Sequence, residues 1–243
     1  MSTLPLLNTK IYAGEYDVSG QTNAVTLDYS AEPLNNTTFA SGGTKTHQGG
    51  AKSVDLQLGG FVDEGSNLIG EFAFNRIGTA DVPITCIGQG NTAGDIAYFF
   101  KALKTSYPRP MKFGQLYAFS LHAVASNGPL VRGQLFVPSG SRTSSGTSSV
   151  VQLGATSSTQ RLYAALHVLS ASGSTPTLAV TVKSDDAAGF SSPTTQLTFT
   201  TASAITKELL SVAGPITDQY IRVDWTIGGS SPDFSFVVVV GIV

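Results

Sequence analysis

The residues able to do chemistry are few and scattered. The three histidines are His47, His122 and His167. They show no His-x-x-x-His or related ligand spacing. His122 and His167 sit among small or apolar residues of alternating segments, so hydrogen-bonded structural roles suit them better than catalysis. Asp185-Asp186 could suggest calcium, which takes carboxylate and carbonyl oxygens. No further acid lies close by in sequence, and Asp is common in turns. Cys86 is the only cysteine, which excludes an intrachain disulfide and a multi-cysteine zinc site. Its neighbours Ile84 and Ile87 predict a buried, inert thiol. Gly88-Gln89-Gly90-Asn91-Thr92-Ala93-Gly94 looks like a phosphate cradle, but Ile96-Ala97-Tyr98-Phe99-Phe100 behind it is strand-like. No helix N-terminus stands ready to hold a phosphate. There is no Gly-x-Ser-x-Gly elbow, and Asp55 and Glu71 have no shown geometry as an acid–base pair. Asn35-Asn36-Thr37-Thr38 carries the N-glycosylation pattern, without a secretion signal to give it meaning. The sequence predicts no enzyme, no cofactor and no metal.

Composition agrees. Of 243 residues, 41% are hydrophobic and 12% charged, about half the usual charged share. Lys+Arg 14 against Asp+Glu 16 gives a net charge of −2. A dedicated nucleic-acid binder carries a basic excess, because phosphate contacts supply most of its affinity. A neutral, hydroxyl-rich surface resists packing against other chains less than a charged one does. Met1 to Asn8 lacks a basic start and an apolar core, so no signal peptide is visible. Phe236 to Val243 is the longest apolar run and too short to span a bilayer. These features predict a chain made in a cytoplasm, with no membrane partner.

The pattern along the chain is all-β with one short helix. Lys10 to Tyr16 and Asn23 to Tyr29 read as strands joined by a turn at Val18 to Thr22, with Pro33 closing the second. A polar run from Asn35 to Gly50 reads as a floppy arm. Val54, Leu56 and Leu58 then alternate with Ser53, Asp55 and Gln57, the mark of a strand with one dry face. Glu64 to Phe74 reads as the helix, with Leu68, Ile69, Phe72 and Ala73 at helical spacing and Glu64 near its start. Strands follow at Val82 to Ile87 and Asp95 to Thr105. Phe113 to Val124 and Leu130 to Val137 read as a hairpin through Asn127-Gly128. Residues 139–149, rich in Ser and Gly, read as a flexible linker. It separates an assembly domain, 1–138, from an accessory β-sandwich, 150–243. In the sandwich Leu162 to Val168, Leu178 to Val182 and Ile221 to Ile227 alternate, and Phe234 to Val240 suits a strand buried on both faces. Turns are expected at Ser172-Gly173-Ser174 and Gly228-Gly229.

The succession Gly49-Gly50-Ala51-Lys52-Ser53, the alternating strand to Leu58, Gly59-Gly60-Phe61 and a short helix ending at Phe74 resembles the core of major tail (tail tube) proteins of long-tailed bacteriophages. The likeness continues through Val82 to Ile87, Asp95 to Thr105 and Gly114 to Val137. Lys183 to Asp186, Phe190 to Pro193, Gly214 to Asp218 and Ile221 to Val223 resemble accessory sandwich domains of phage structural proteins. Together these cover nearly the whole chain. The resemblance implies a tail-tube-like β-sandwich or barrel carrying a C-terminal β-sandwich. It implies a virion protein, assembled in the host cytoplasm into stacked hexameric rings through which DNA passes without specific binding. Its partners would be other copies of itself and other tail or head proteins. It implies an arm reaching a neighbouring subunit, with contacts at Asn36, Thr38, Phe39, Lys45, His47, Gln48, Leu68 and Phe72. Two other readings compete: a capsid decoration protein, and a sugar-binding module using Tyr163, Tyr220 and Trp225. The register of Trp225 with Ile221, Val223 and Ile227 points that side chain into the core.

Overall fold

The computed structural model describes residues 7–65 and 68–243. Residues 1–6 of the Met1–Asn8 stretch and residues 66–67 of the Glu64–Phe74 segment lie outside the described residues. In chain order the strands are β1 (Lys10–Ala13), β2 (Tyr16–Asp17), β3 (Thr22–Asn35), β4 (His47–Phe61), β5 (Val82–Ile87), β6 (Ile96–Ser106), β7 (Ala118–Ala125) and β8 (Val131–Val137). There follow β9 (Ser141–Arg142), β10 (Gly146–Thr147), β11 (Val151–Gln152), β12 (Arg161–Asp185), β13 (Thr194–Thr198), β14 (Thr206–Ala213) and β15 (Tyr220–Ile242). One α-helix, α1 (Ile69–Asn75), lies between β4 and β5. The fold is all-β with one short helix, as the alternation predicts.

Three apolar layers organise these strands. The first lies under the inner face of β1, β4, β5, β6 and β7, where Ile11, Leu56, Leu58, Phe100 and Leu121 meet Phe72 of α1. The second fills the C-terminal half, with Leu162, Val180, Val223, Phe234 and Phe236 among its members. The third lies between the halves and joins Tyr12, Ile87, Phe99 and Leu135 to Ala165, Val237 and Val239. The near-continuous apolar run of β15 therefore has a physical reason. Phe236, Val238 and Val240 face the second layer, whereas Val237 and Val239 face the third. Strands buried on both faces need apolar residues at every position.

Several sequence expectations give way to a different pairing. β7 and β8 do not form a hairpin with each other. Both pair with β6, β7 at Ala102 to Ser106 and β8 at Ile96 to Phe99. They form one interrupted strand along the same edge, and Ser126-Asn127-Gly128-Pro129 is the kink between them. Burial wins here over turn chemistry: the kink lets β8 carry Val131 and Leu135 into the layer between the halves. The expected strand Lys10 to Tyr16 is broken at Gly14-Glu15 into β1 and β2, which pair with each other. β3 runs past Pro33 to Asn35, with a register shift at Ala31/Pro33 that accommodates the missing N–H.

The expected linker, 139–149, runs along β15 and pairs with it. β9 pairs with β15 at Phe234 and Ser235, and β10 pairs at Trp225 and Asp224. Serine hydroxyls complete the attachment: Ser145 Oγ accepts from the Ile227 N–H at 2.9 Å and Ser148 Oγ from the Val223 N–H at 3.0 Å. Asn91 binds both backbone groups of Ser139 at 3.0 Å. The Arg142 guanidinium donates to Pro138 O at 2.6 Å and lies over the rings of Phe236 and Trp225. Composition alone treats such serines as solvated, but here they replace ladder partners.

The two expected turns in the C-terminal half are corners. β12 and β15 pair from Leu162↔Ile242 to Asp185↔Tyr220, shifting register between Ser170 and Thr177. The corner is made twice by near-identical words, Gly173-Ser174-Thr175-Pro176 and Gly229-Ser230-Ser231-Pro232. Gly173 and Gly229 have φ of 114° and 112°, and Thr175 and Ser231 have φ of 48° and 49°. A Cβ on Gly173 would stand 2.7 Å from Ser231 O, and one on Gly229 2.7 Å from Thr175 O. Only glycine fits such an approach. The bend lets both halves of β12, Leu162 to Val168 and Leu178 to Val182, face one core.

Candidate assembly interface

The stretch expected as a floppy arm is an ordered two-stranded ribbon. β3 and β4 pair from Thr22↔Gly60 to Asn35↔His47. Near the body, Val54, Leu56 and Leu58 of β4 are buried. Beyond Ser30 and Ser53 the ribbon has almost no buried residue. At about 3.3 Å per residue that free portion reaches roughly 20 Å from the body. Its polar composition serves the tip. The Thr37 N–H donates to Asn35 Oδ1 at 2.9 Å, Thr37 Oγ1 accepts from the Thr46 N–H at 2.9 Å, and Ser41 Oγ accepts from the Thr38 N–H at 3.1 Å. The turn thus closes without help from a core.

Of the residues expected at a subunit contact, Asn36, Thr38, Phe39, Lys45, His47 and Gln48 all lie exposed on this ribbon. Phe39 at the tip is 111% exposed. Leu68 is half-buried at the start of α1. Phe72 is buried in the first layer, its ring tilted against that of Tyr16 with centroids 5.4 Å apart, so it is a core residue and leaves the expected contact set. Glu64 does not head the helix. It pairs with Arg109, whose guanidinium also stacks on Tyr107 and Tyr117.

Residues that the sequence reading did not single out form a groove at the root of the ribbon. Val25, Leu27 and Tyr29 stand opposite Leu58, Leu56 and Val54, on the core-facing side of β3. Yet Val25 and Tyr29 remain 38% and 46% exposed. With Ile11, Tyr98 and Leu130 they line a groove of about 810 Å³. The alternation Val25-x-Leu27-x-Tyr29 was the available signal. Among the described residues, the far edge of β3 pairs with no strand.

The opposite face of β3, β4 and β7 is polar. Asp28 faces Asp55 directly across the ladder, a like-charge pair that destabilises unless neutralised. His122 Nε2 lies 2.5 Å from Asp55 Oδ2. His122 Nδ1 lies 2.7 Å from Thr105 Oγ1. The Asp–His–Thr succession has the order of a hydrolytic triad, but its surroundings do not. It lies on an open sheet face, and Thr105 Oγ1 also reaches the His122 carbonyl at 3.1 Å, an acceptor for its proton. Hydrogen bonds thus tie Asp55, His122 and Thr105 together across β4, β7 and β6, a brace on this face of the sheet.

The remaining ionisable groups are built into the body. His167 donates from Nδ1 to Gly14 O at 2.6 Å and accepts at Nε2 from Thr85 Oγ1 at 2.8 Å, joining the two halves. Burial pulls its pKa down to about 4. Glu15 bridges the same junction, paired with Arg76 and, at 2.7 Å, with Lys207. Burial opposes its ionisation, but Lys207 and Arg76 outweigh that and hold it below the usual carboxylate range. Lys104 donates to Phe72 O at 2.7 Å, and burial pulls its pKa down to about 7. Burial pushes the Cys86 thiol up to about 12. Asp185 accepts the N–H groups of Ala187 and Ser192, at 3.0 and 2.8 Å, which makes it a loop closer. Among the described residues no group of three or more His, Cys, Asp or Glu could hold a metal ion, and no helix is long and apolar enough to cross a membrane. Trp225 packs on Phe236 and donates to Ser144 O at 3.1 Å; it is half-buried and lines a groove with Gly146, Lys183 and Asp224.

No protein-family model matches this chain, and no curated protein does. Solved structures show distant likeness. A chain from the virion of a native gene transfer agent particle is 14% identical, with 51% of this chain and 95% of that one covered at a TM-score of 0.42. A chain from the PVC extracellular contractile injection system, in its sheath/tube terminator in the extended state, is 16% identical, covering 54% and 97% at 0.43. The Dit protein of SPP1, a phage infecting Gram-positive bacteria, is 12% identical, covering 97% and 99% at 0.37.

Proposed function

We propose that this chain is a virion structural protein: a tail tube subunit whose copies form stacked hexameric rings around a DNA channel. One observation carries the reading. Among the described residues, the chain holds out an ordered two-stranded ribbon that has no core of its own and exposes an unpaired strand edge. Isolated two-stranded ribbons are marginal in water, and exposed edges invite pairing with another chain. Both are relieved when a neighbouring copy receives the ribbon. Asn36, Thr38, Phe39, Lys45, His47 and Gln48 are then the contact residues, joined by Leu68. The polar face bearing Asp28, Asp55 and Gln57 lines the channel, where an uncharged to acidic wall lets phosphate pass without binding. The two halves, 1–138 and 150–243, act as the tube-forming and accessory parts. Residues 139–149 hold them in one orientation. Other tail or head proteins cap the assembly.

The test shortens the ribbon in register. Removing 31–52 and joining Ser30 to Ser53 through Asn-Gly deletes almost only exposed residues, so the melting transition should be kept. Negative-stain microscopy and sedimentation should show rings or tubes for the intact chain and monomers for the shortened one. An intact chain that stays monomeric at high concentration sinks the proposal.

A further inference from the structure

Among the described residues, two apolar features are covered by no other part of the chain. The first is the groove, where Val25, Leu27 and Tyr29 continue the core face of the sheet to an uncovered edge. The second is the turn at Met111 to Leu116. Met111, Phe113 and Leu116 are 76%, 105% and 73% exposed. The turn closes through Gln115 N–H to Lys112 O at 3.1 Å, and its loop is anchored by Arg109 on Glu64, Tyr107 and Tyr117. Backbone and arginine therefore fix the loop, and three large apolar side chains at its crest add nothing to folding. Turns ordinarily carry Gly, Asn, Asp or Ser at such positions.

Areas favour a second copy as the partner. Three such side chains present on the order of 450 Å² of apolar surface, the scale at which an exposed patch marks a contact. Stable interfaces bury about 800 Å² per partner, so the turn supplies about half and the ribbon can supply the rest.

We propose that the Met111–Leu116 turn of one copy seats in the groove between β1 and β3 of a second copy. The claim deepens the tube reading and rests on it. Knob and socket are different surfaces, so the contact is heterologous: every copy that uses one still offers the other, and the assembly extends.

Cys86 is buried, so cysteines introduced on the surface react alone. The full chain carrying Val25→Cys and Phe113→Cys is assembled, treated with a short bis-maleimide and run on a denaturing gel. The expected result is a ladder of covalent dimers and higher species, absent from either single variant. Separately, Met111→Ser with Phe113→Ser should keep the melting temperature and raise the critical concentration for assembly at least tenfold. Particles that form normally but give no ladder, or an unchanged critical concentration, overturn the turn-in-groove contact and leave the tube reading standing. A wild-type chain that never assembles overturns both.

Discussion

Acid should loosen this protein through His167, and the size of the effect follows from its surroundings. The ring is fully buried between the halves, with Nδ1–H on Gly14 O and Nε2 accepting from Thr85. Tyr12 lies beside it at 5.8 Å between ring centroids, and Glu15 is the nearby charge that favours protonation. A pKa lowered from 6.5 to about 4 means the folded chain stays neutral where the unfolded chain takes up a proton. Stability is therefore lost as pH falls from about 6.5 towards 4. The full shift is worth about 3 kcal/mol, and about 2 kcal/mol of it should disappear between pH 7 and pH 5. Urea unfolding at those two pH values measures the loss directly. The control is His167→Gln, which keeps an amide able to reach one partner but cannot titrate. It should be weaker at pH 7, by about 1–3 kcal/mol for unsatisfied buried groups, and should lack the His167 part of the pH 7-to-5 slope. Glu15, Asp185 and Asp224, all held low, contribute chiefly below that window. Equal slopes in the two proteins would refute the reasoning.

Other substitutions probe the frame in the same way. Gly173→Ala and Gly229→Ala each press a Cβ onto a facing carbonyl at positive φ, so each should cost about 1–3 kcal/mol and lower the melting temperature by several degrees. Lys104, with its pKa pulled to about 7, favours the neutral amine when folded, so wild-type stability should climb from pH 7 towards 9 in urea titrations and climb less in Lys104→Met. Glu15→Gln leaves Arg76 and Lys207 facing each other across the junction. A loss of about 2 kcal/mol is expected, with faster amide exchange on β14 read by mass spectrometry.

Strand faces were legible because alternation reports burial directly. Val54, Leu56 and Leu58, or Leu178, Val180 and Val182, could only point one way once the strand was recognised. The unbroken run Phe236 to Val240 likewise announced a strand between two apolar layers. Pairing was not legible. Asn127-Gly128 carries strong local turn chemistry, yet β6 offers one continuous edge to both flanking segments, and long-range burial of Val131 and Leu135 decides. The linker misled for a related reason. Ser145 and Ser148 look like solvated spacer residues until the N–H groups of Ile227 and Val223 are known to need acceptors. Cys86 and Trp225 were read inward from their neighbours; Cys86 is buried, and Trp225 is half-buried against Phe236. Phe72 entered the expected contacts with the family resemblance, whereas the structure packs it with Ile69 and Ala73 in the first layer.

The ribbon is where the correction changes the physics of assembly. A floppy polar arm would lose conformational freedom when it met its neighbour, and that ordering would oppose association. The tip instead settles its own hydrogen bonds through Asn35, Thr37 and Ser41, and its strands are already in register before any partner arrives. Ordering has been moved from assembly to folding. On the tube reading proposed above, contact with a second copy needs only shape and apolar area, and the exposed Phe39 at the tip and Val25, Leu27 and Tyr29 at the root are the surfaces offered for it. Preorganisation of this kind strengthens association without adding a single contact. Loosening the tip by Thr37→Gly should therefore weaken self-association while leaving Phe39 and the groove in place. Analytical ultracentrifugation of that variant, set beside Phe39→Ser, separates the ordering effect from the contact effect.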